Sequence, residues 1–150
     1  MSGERTPPTG YMEGVVHVLP VRVYYEDTDA GGIVYHANYL RFAERARSEM
    51  LRSIGAGGAS PMAKAGLAFV ARHCTLDYIA PARLDDALEV RSRLVSVGAA
   101  TVLAEQIVTR GTDEIVRIDI KLAVIGGDGK PRRLPAEIRA ALMALTERSR

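Results

Sequence analysis

Four segments between residues 69 and 124 alternate or cluster strand-forming side chains, and only short turns separate them. The pattern predicts strands over 69–79, 88–94, 102–109 and 115–124, with breaks at Pro81, Gly98 and Gly111. Such connections have the size of hairpin loops, and parallel neighbours would need longer crossovers. The sequence therefore predicts that these strands form an antiparallel sheet.

A single long helical period precedes these strands. It begins near Asn38, a plausible N-cap, and should end at Gly55, before the further break at Gly57-Gly58. The residues predicted on its apolar face are Leu40, Ala43, Met50, Leu51 and Ile54.

Two further elements flank this arrangement. Residues 21–25 have the composition of a strand, and residues 135–145 that of a short helix that starts at a proline. The fold class is therefore α+β, with a five-stranded antiparallel sheet wrapped around one long helix. One helix covers such a sheet incompletely and leaves edge strands open, which favours a dimer or a larger assembly.

Composition limits the class of protein. The 150 residues include 47% apolar and 25% charged residues, which fits one globular domain over 15–150 after a disordered leader over 1–14. The net charge of +2 gives no reason to expect nucleic-acid binding. Neither a membrane span nor a signal peptide is predicted, and Cys74 is the only cysteine, so we expect a cytoplasmic location without membrane insertion.

The chemistry-bearing residues are concentrated between the first strand and the long helix. Glu26, Asp27 and Asp29 lie within four positions, and the glycines Gly31 and Gly32 follow them. Unpaired N–H groups at the helix start suit a polarised carbonyl oxygen, and a carboxylate beside them can act as a nucleophile or a general base.

Two other interpretations of these residues stay open at this point. The acids and glycines can simply shape a turn. Alternatively, Asp27, Asp29 and His36 can bind a metal, although their spacing matches no standard metal motif.

Residues 24–52, YYEDTDAGGIVYHANYLRFAERARSEMLR, resemble the signature of the hotdog-fold acyl-CoA thioesterases of the 4-hydroxybenzoyl-CoA thioesterase type. Within that family they look most like the branch associated with the Tol–Pal system. The core D-x-D-x-x-G-x-V-Y-H is specific, and residues 76–86, LDYIAPARLDD, resemble the segment before the third strand of that branch. The resemblance implies a hotdog fold and hydrolysis of an acyl-CoA to a free acid and CoA, without a metal or an organic cofactor.

The resemblance also assigns roles to residues of the motif. Asp29 matches the essential carboxylate, either nucleophile or general base, and the backbone N–H near His36 would polarise the thioester carbonyl. The His36 side chain would orient water or assist the leaving thiolate. Gly31 and Gly32 would let the loop pass close to the substrate.

Further residues are expected to contact the substrate. Tyr35 and Tyr39 are candidates for lining the pocket, and Lys130, Arg132 and Arg133 are candidates for the CoA phosphates, supplied by a neighbouring subunit. In this family such sites lie at subunit interfaces, so the expected assembly is a homotetramer built as a dimer of hotdog dimers.

Some hotdog thioesterases carry their carboxylate on the central helix instead. Here Glu44 and Glu49 lie on that helix, but the motif acid precedes it, so Glu44 is expected to pair with Arg47 or Ser48. Two other functions remain as alternatives: a non-catalytic hotdog domain that binds acyl carrier protein or an envelope complex, and a hydroxyacyl-thioester dehydratase. The sequence leaves the acyl group open.

Overall fold

A computed structural model describes residues 7–56 and 61–146. Its elements are, in chain order, β1 (Tyr11–Glu13), β2 (Val16–Arg22), a one-turn 3-10 helix (Tyr25–Asp27), α1 (Asn38–Ser53), α2 (Pro61–Lys64), β3 (Ala68–Tyr78), β4 (Ala87–Val97), β5 (Thr101–Arg110), β6 (Asp113–Ile125) and α3 (Ala136–Thr146).

The strands form one sheet in the order β1-β2-β4-β5-β6-β3, and every neighbouring pair is antiparallel. The register of β3 on β6 shifts between Ala71 and His73, so Arg72 lies at a bulge without a Cα partner. Because β3 pairs only with β6 in the described sheet, the eleven residues of β3 form one free edge.

Alternate residues of the central strands point into the core, as the period of a strand requires. The face covered by α1 includes Leu88 and Val90 of β4 and Val116 and Ile118 of β6, all at most 2% exposed. The buried side of α1 is formed by Tyr39, Phe42, Ala43, Ala46 and Met50.

The long helix is not the sole cover of the sheet, contrary to the prediction. A second cluster joins Met50 of α1 to Ile138 and Leu142 of α3, together with Leu94 and Val102 of the sheet. The short C-terminal helix therefore closes the end of the core that α1 leaves open.

The sheet has six strands and not five. The additional strand β1 lies within the predicted disordered leader, where residues 11–13 pair with Val16–Val18 of β2. The first predicted strand also lies earlier in the chain, at Val16–Arg22, because the chain leaves the sheet before Tyr24. There the backbone N–H of Tyr24 donates to the Asp27 carboxylate across 2.8 Å and starts the 3-10 turn.

The start of α1 at Asn38 is confirmed, but the capping residue is Ala37, which makes no side-chain cap bond. Leu40 points outward and is 40% exposed, so its predicted place on the apolar face is wrong. The predicted break at Gly57-Gly58 lies outside the described residues.

An antiparallel sheet packed around one long helix is the hotdog arrangement, and that prediction is confirmed. Among the described residues, none of the helices is both long and apolar enough to cross a membrane.

Candidate active site

The loop between β2 and α1 is closed by its own backbone bonds. Thr28 and Val34 form an antiparallel bridge, and the N–H of Asp29 donates to the carbonyl oxygen of Ile33 across 2.9 Å. The N–H of Gly32 donates to the carbonyl oxygen of Asp29 at 3.1 Å, and Gly32 has a φ of +79°. This positive φ explains the glycine, since a side chain would strain the turn.

Asp29 lies at the mouth of this loop with its side chain exposed. Its Oδ1 atom accepts a bond from the N–H of Gly31 at 2.8 Å, and Oδ2 has no donor among the described residues. A cavity of about 270 Å³ adjoins the carboxylate and is lined by Glu26, Thr28, Asp29, Tyr35, Ala37, Asn38 and Arg41. The carboxylate is thus oriented through Oδ1, while its Oδ2 accepts no bond from the described residues.

Asp27 has a different role from Asp29. It is 7% exposed, and its Oδ1 accepts from the side-chain amide of Asn38 at 2.8 Å while its Oδ2 accepts from the N–H of Tyr24. Both oxygens are therefore engaged by the protein, and the carboxylate ties the loop to the first turn of α1. This arrangement agrees with the expectation that Asp27 supports the loop.

The start of α1 presents two backbone donors beside the loop. Within residues 7–56 and 61–146, the N–H groups of His36 and Ala37 have no hydrogen-bond partner. Each belongs to a peptide group whose carbonyl accepts a bond: Tyr35 O from the N–H of Asn38 at 2.8 Å, and His36 O from the hydroxyl of Tyr78 at 2.9 Å. A bond to the carbonyl polarises the peptide group and strengthens its N–H as a donor.

Aromatic rings surround this helix start. The His36 ring lies 4.6 Å from that of Tyr35 and 6.4 Å from that of Tyr78, measured between centroids. Tyr39, by contrast, is 3% exposed, packs in the core, and accepts a bond from the N–H of Ala82. Burial raises the pKa of the Tyr39 hydroxyl. We therefore remove Tyr39 from the substrate-binding set and keep Tyr35, which lines the cavity.

The two segments that carry the family resemblance contact each other. The N–H of Val34 donates to the carbonyl of Ala82 at 2.8 Å, and Ile33 bridges to Arg83. The N–H of Val23 donates to the carbonyl of Asp86 at 3.0 Å. Residues 76–86 thus form the support on which the Asp29 loop rests.

The predicted phosphate-binding residues lie far from Asp29 in the same chain. Tyr78, which touches the site, pairs with Val116 at one end of β6, whereas Ile125 at the other end bridges to Pro131. Nine strand residues separate these ends by about 30 Å. Within a single chain, the structure does not bring Lys130, Arg132 and Arg133 to the Asp29 cavity, and Arg132 is bonded to Asp128.

Sequence reasoning missed three residues of this site. Arg41 lines the Asp29 cavity, and its position three residues after Asn38 could have indicated this. Asn38 anchors Asp27, although it was expected to cap the helix. Tyr78 approaches from β3, and no local pattern places it there.

The metal interpretation finds no support in the contacts of Asp27. Both its oxygens accept bonds from protein donors, the amide of Asn38 and the N–H of Tyr24. Across the described residues, no three His, Cys, Asp or Glu side chains are grouped as a metal site would require.

Comparison with known proteins agrees with this fold. The thioesterase superfamily profile matches residues 31–116. The Haemophilus influenzae acyl-CoA thioesterase YbgC is 46% identical over 124 residues, which cover 82% of this chain and 91% of the relative.

Solved structures give the same result. A probable thioesterase from Bartonella henselae is 40% identical with a TM-score of 0.76, covering 80% of this chain and 99% of its own. A thioesterase from Thermus thermophilus, complexed with coenzyme A and Zn, is 29% identical with a TM-score of 0.77, covering 92% and 99% of the two chains.

The fold and these relatives define a hotdog thioester hydrolase, as predicted. The chain belongs to the thioesterase superfamily, and its resemblance to the YbgC relatives extends over most of its length.

Proposed function

We propose that this enzyme hydrolyses acyl-CoA thioesters to a free acid and CoA, with Asp29 as the catalytic carboxylate. The observation that carries the proposal is that Oδ2 of Asp29 and the N–H groups of His36 and Ala37 have no partner among the described residues, while Asp29 and Ala37 line the same cavity. The relatives named acyl-CoA thioesterase and the neighbour that holds coenzyme A support the substrate class.

In the proposed reaction, the thioester oxygen accepts bonds from the N–H groups of His36 and Ala37. These donors stabilise negative charge on that oxygen as the carbonyl carbon becomes tetrahedral. The positive end of the α1 dipole adds to this stabilisation.

Asp29 then acts in one of two ways. As a nucleophile, it forms an acyl anhydride and expels the CoA thiolate, and water hydrolyses the anhydride. As a general base, it takes a proton from water while the water oxygen attacks the carbonyl, and the thiolate leaves with a proton from solvent or His36. Rapid quench with mass spectrometry distinguishes the two mechanisms, since only the nucleophilic mechanism adds the mass of the acyl group to the peptide that contains Asp29.

The His36 side chain is exposed and held at its edge by the rings of Tyr35 and Tyr78. We assign the His36 side chain one of two roles: it assists the leaving thiolate or it orients the attacking water. An imidazole suits both roles because it can donate and accept hydrogen bonds and transfer a proton. Gly31 and Gly32 keep the backbone beside Asp29 free of side chains, and Tyr35 forms one wall of the cavity.

A second subunit completes the site in this proposal. The free edge of β3 suits antiparallel pairing with β3 of another copy, which brings the Tyr78 end of one strand beside the Ala68 end of the other. The partner's Ile125, and with it the loop that carries Lys130, Arg132 and Arg133, then lies one strand away from that junction. This pairing supports the expected phosphate contacts across subunits and gives a dimer, while the association of two such dimers stays a prediction.

The central test is Asp29→Asn in a thiol-release assay with a panel of acyl-CoAs, run in parallel with acyl-acyl carrier protein. Asparagine can still accept the N–H of Gly31, so the loop should fold normally. We expect kcat to fall by about 10²-fold or more with unchanged thermal stability. An unchanged kcat would refute the assignment of Asp29.

The same panel tests the alternatives. Binding of acyl carrier protein without thiol release would support a binding module, and loss of water from a 3-hydroxyacyl-CoA would support a dehydratase. No contact in the described site favours either one, and acyl carrier protein and a cytoplasmic location remain predictions.

A further inference from the structure

A second and larger cavity lies between α1 and the start of β3. Its volume is about 650 Å³, and apolar side chains form most of its wall: Leu51, Ala56, Met62, Leu67, Phe69 and Leu122. Its polar members come from α1, and among them are Glu44, Arg47 and Ser48. An apolar body with a few convergent polar groups is typical of a ligand pocket.

Arg47 is fixed in this cavity by a buried polar chain. Its Nη1 donates to Oε1 of Gln106 at 2.9 Å, and Nε2 of Gln106 donates to the carbonyl of Ala43 and to Oγ of Ser92, both at 2.9 Å. Gln106 and Ser92 are fully buried. The two bonds that Gln106 donates fix its amide, and its oxygen holds one nitrogen of the Arg47 guanidinium.

The charge of Arg47 is compensated only in part, because burial lowers the pKa of Arg47 by more than Glu44 raises it. Among residues 7–56 and 61–146, no carboxylate lies within ion-pair distance of Arg47. The expected pairing of Glu44 with Arg47 is therefore not a direct ion pair in the described part of the chain, although the two charges still interact at longer range. Burial lowers the pKa of Arg47, which reflects the cost of removing this charge from water. A nearby anion ordinarily offsets such a cost. A guanidinium binds a carboxylate well because two of its N–H groups can donate to the two carboxylate oxygens in parallel.

We propose that Arg47 binds a carboxylate at the far end of the acyl group, so that the enzyme prefers acyl-CoAs derived from dicarboxylic acids. This inference rests on the proposed thioesterase function. The cavity follows α1 away from the helix start, and Arg47 lies nine residues, or about 14 Å, beyond Asn38. With β3 strands paired antiparallel, the cavity of one subunit also approaches the Asp29 loop of the other.

Glu44 modulates this preference in a defined direction. It lies on the exposed rim of the same cavity, and its charge repels an incoming carboxylate. Removal of that charge in Glu44→Gln should strengthen the preference by roughly twofold, the size of one partly exposed charge interaction.

The test compares acyl-CoA pairs of equal carbon number and of a length that suits the distance from Asn38 to Arg47, such as suberyl-CoA with octanoyl-CoA and sebacyl-CoA with decanoyl-CoA. The readout is the ratio of kcat/KM within each pair, which a general loss of activity does not change. We expect a ratio above one for the wild type, a decrease of about tenfold in Arg47→Met, and a partial rescue in Arg47→Lys. Arg45→Met on the exposed side of α1 should retain the wild-type ratio.

Calorimetric binding of the same pairs to Asp29→Asn provides a second measurement that does not need catalysis. A preference for the dicarboxylic ligand that disappears in Asp29→Asn/Arg47→Met supports the inference. If the wild type shows no turnover but this preference is present, only the proposed function fails. Equal binding of both ligands, or a ratio that Arg47→Met and Arg47→Lys leave unchanged, would overturn the inference while the hydrolysis of plain acyl-CoAs stands.

Discussion

The phenolic O–H of Tyr78 donates to the carbonyl oxygen of His36 across 2.9 Å, although the two residues lie 42 positions apart in the chain. That carbonyl shares a peptide group with the N–H of Ala37, one of the two donors at the start of α1 that the described residues leave without an acceptor. The bond therefore acts on the proposed carbonyl-binding site in two ways: it fixes the backbone position, and it strengthens the donor.

Tyr78→Phe should lower kcat by roughly three- to tenfold with little change in KM. The substitution keeps the ring contacts with His36 and Tyr39 and removes a single hydrogen bond, worth about 1 kcal/mol. Steady-state thiol release measures both constants. Tyr25→Phe is the matched control, since Tyr25 is 82% exposed and its side chain lies outside the cavity. An equal effect in both variants would argue against a specific role for Tyr78.

The buried hydrogen bond between Asp27 and Asn38 should contribute measurably to the free energy of unfolding. Asp27→Ala leaves the amide of Asn38 and the N–H of Tyr24 without their acceptor, so we expect a loss of about 2–4 kcal/mol in the free energy of unfolding. In a double-mutant cycle with Asn38→Ala, urea titrations should give a coupling of about 1–3 kcal/mol. Additive losses would show that the loop and the helix start are held together by other contacts.

The sequence was most informative where pattern and structure have the same range. Strand alternation over 115–124 and the helical period from Asn38 identified β6 and α1, because most side chains there follow the repeat of their own element. The motif likewise placed Asp29 and Gly32 in one tight turn.

The rest depended on contacts between distant segments. Leu40 has the hydrophobicity of a core residue but faces outward, since Tyr39 and Phe42 occupy the core side of that turn. The pairing that makes residues 11–13 a strand comes from β2 and cannot be seen in their own composition. Tyr78 and Gln106 meet α1 only because the sheet packs beneath it. No window of the sequence contains these partners together.

The free edge of β3 gives a prediction about assembly. Arg72 lies at the bulge where β3 has no Cα partner on β6, so proline there should cost the fold of one subunit less than at paired positions. The proline ring at this position would also disturb edge-to-edge pairing with β3 of another subunit. Light scattering after gel filtration should show an oligomer for the wild type and Arg72→Ala, and a smaller species for Arg72→Pro. If Arg72→Pro keeps the wild-type mass, β3 is not the subunit contact.

Asp86 supports the residues beneath the Asp29 loop. Its Oδ2 accepts bonds from the N–H of Arg83 and the guanidinium of Arg110, both at 2.8 Å. Partial burial raises the pKa of Asp86, but these bonds outweigh it and hold the pKa below its ordinary value. Because the folded carboxylate is the stronger acid, its contribution to stability is present above the unfolded pKa of about 3.9 and is lost as the pH falls through the folded value.

Asp86→Asn should therefore destabilise the enzyme at pH 7 by roughly 1 kcal/mol, the usual size for a partly exposed ion pair, and by less at pH 3. Urea titrations of wild type and variant at both pH values measure the difference. Asp77→Asn is the control, because the exposed Asp77 side chain has no hydrogen-bond partner in the described part of the chain, so its effect should stay small at both pH values. A deficit of Asp86→Asn that is equally large at pH 3 and pH 7 would mean that its contribution comes from packing and not from charge.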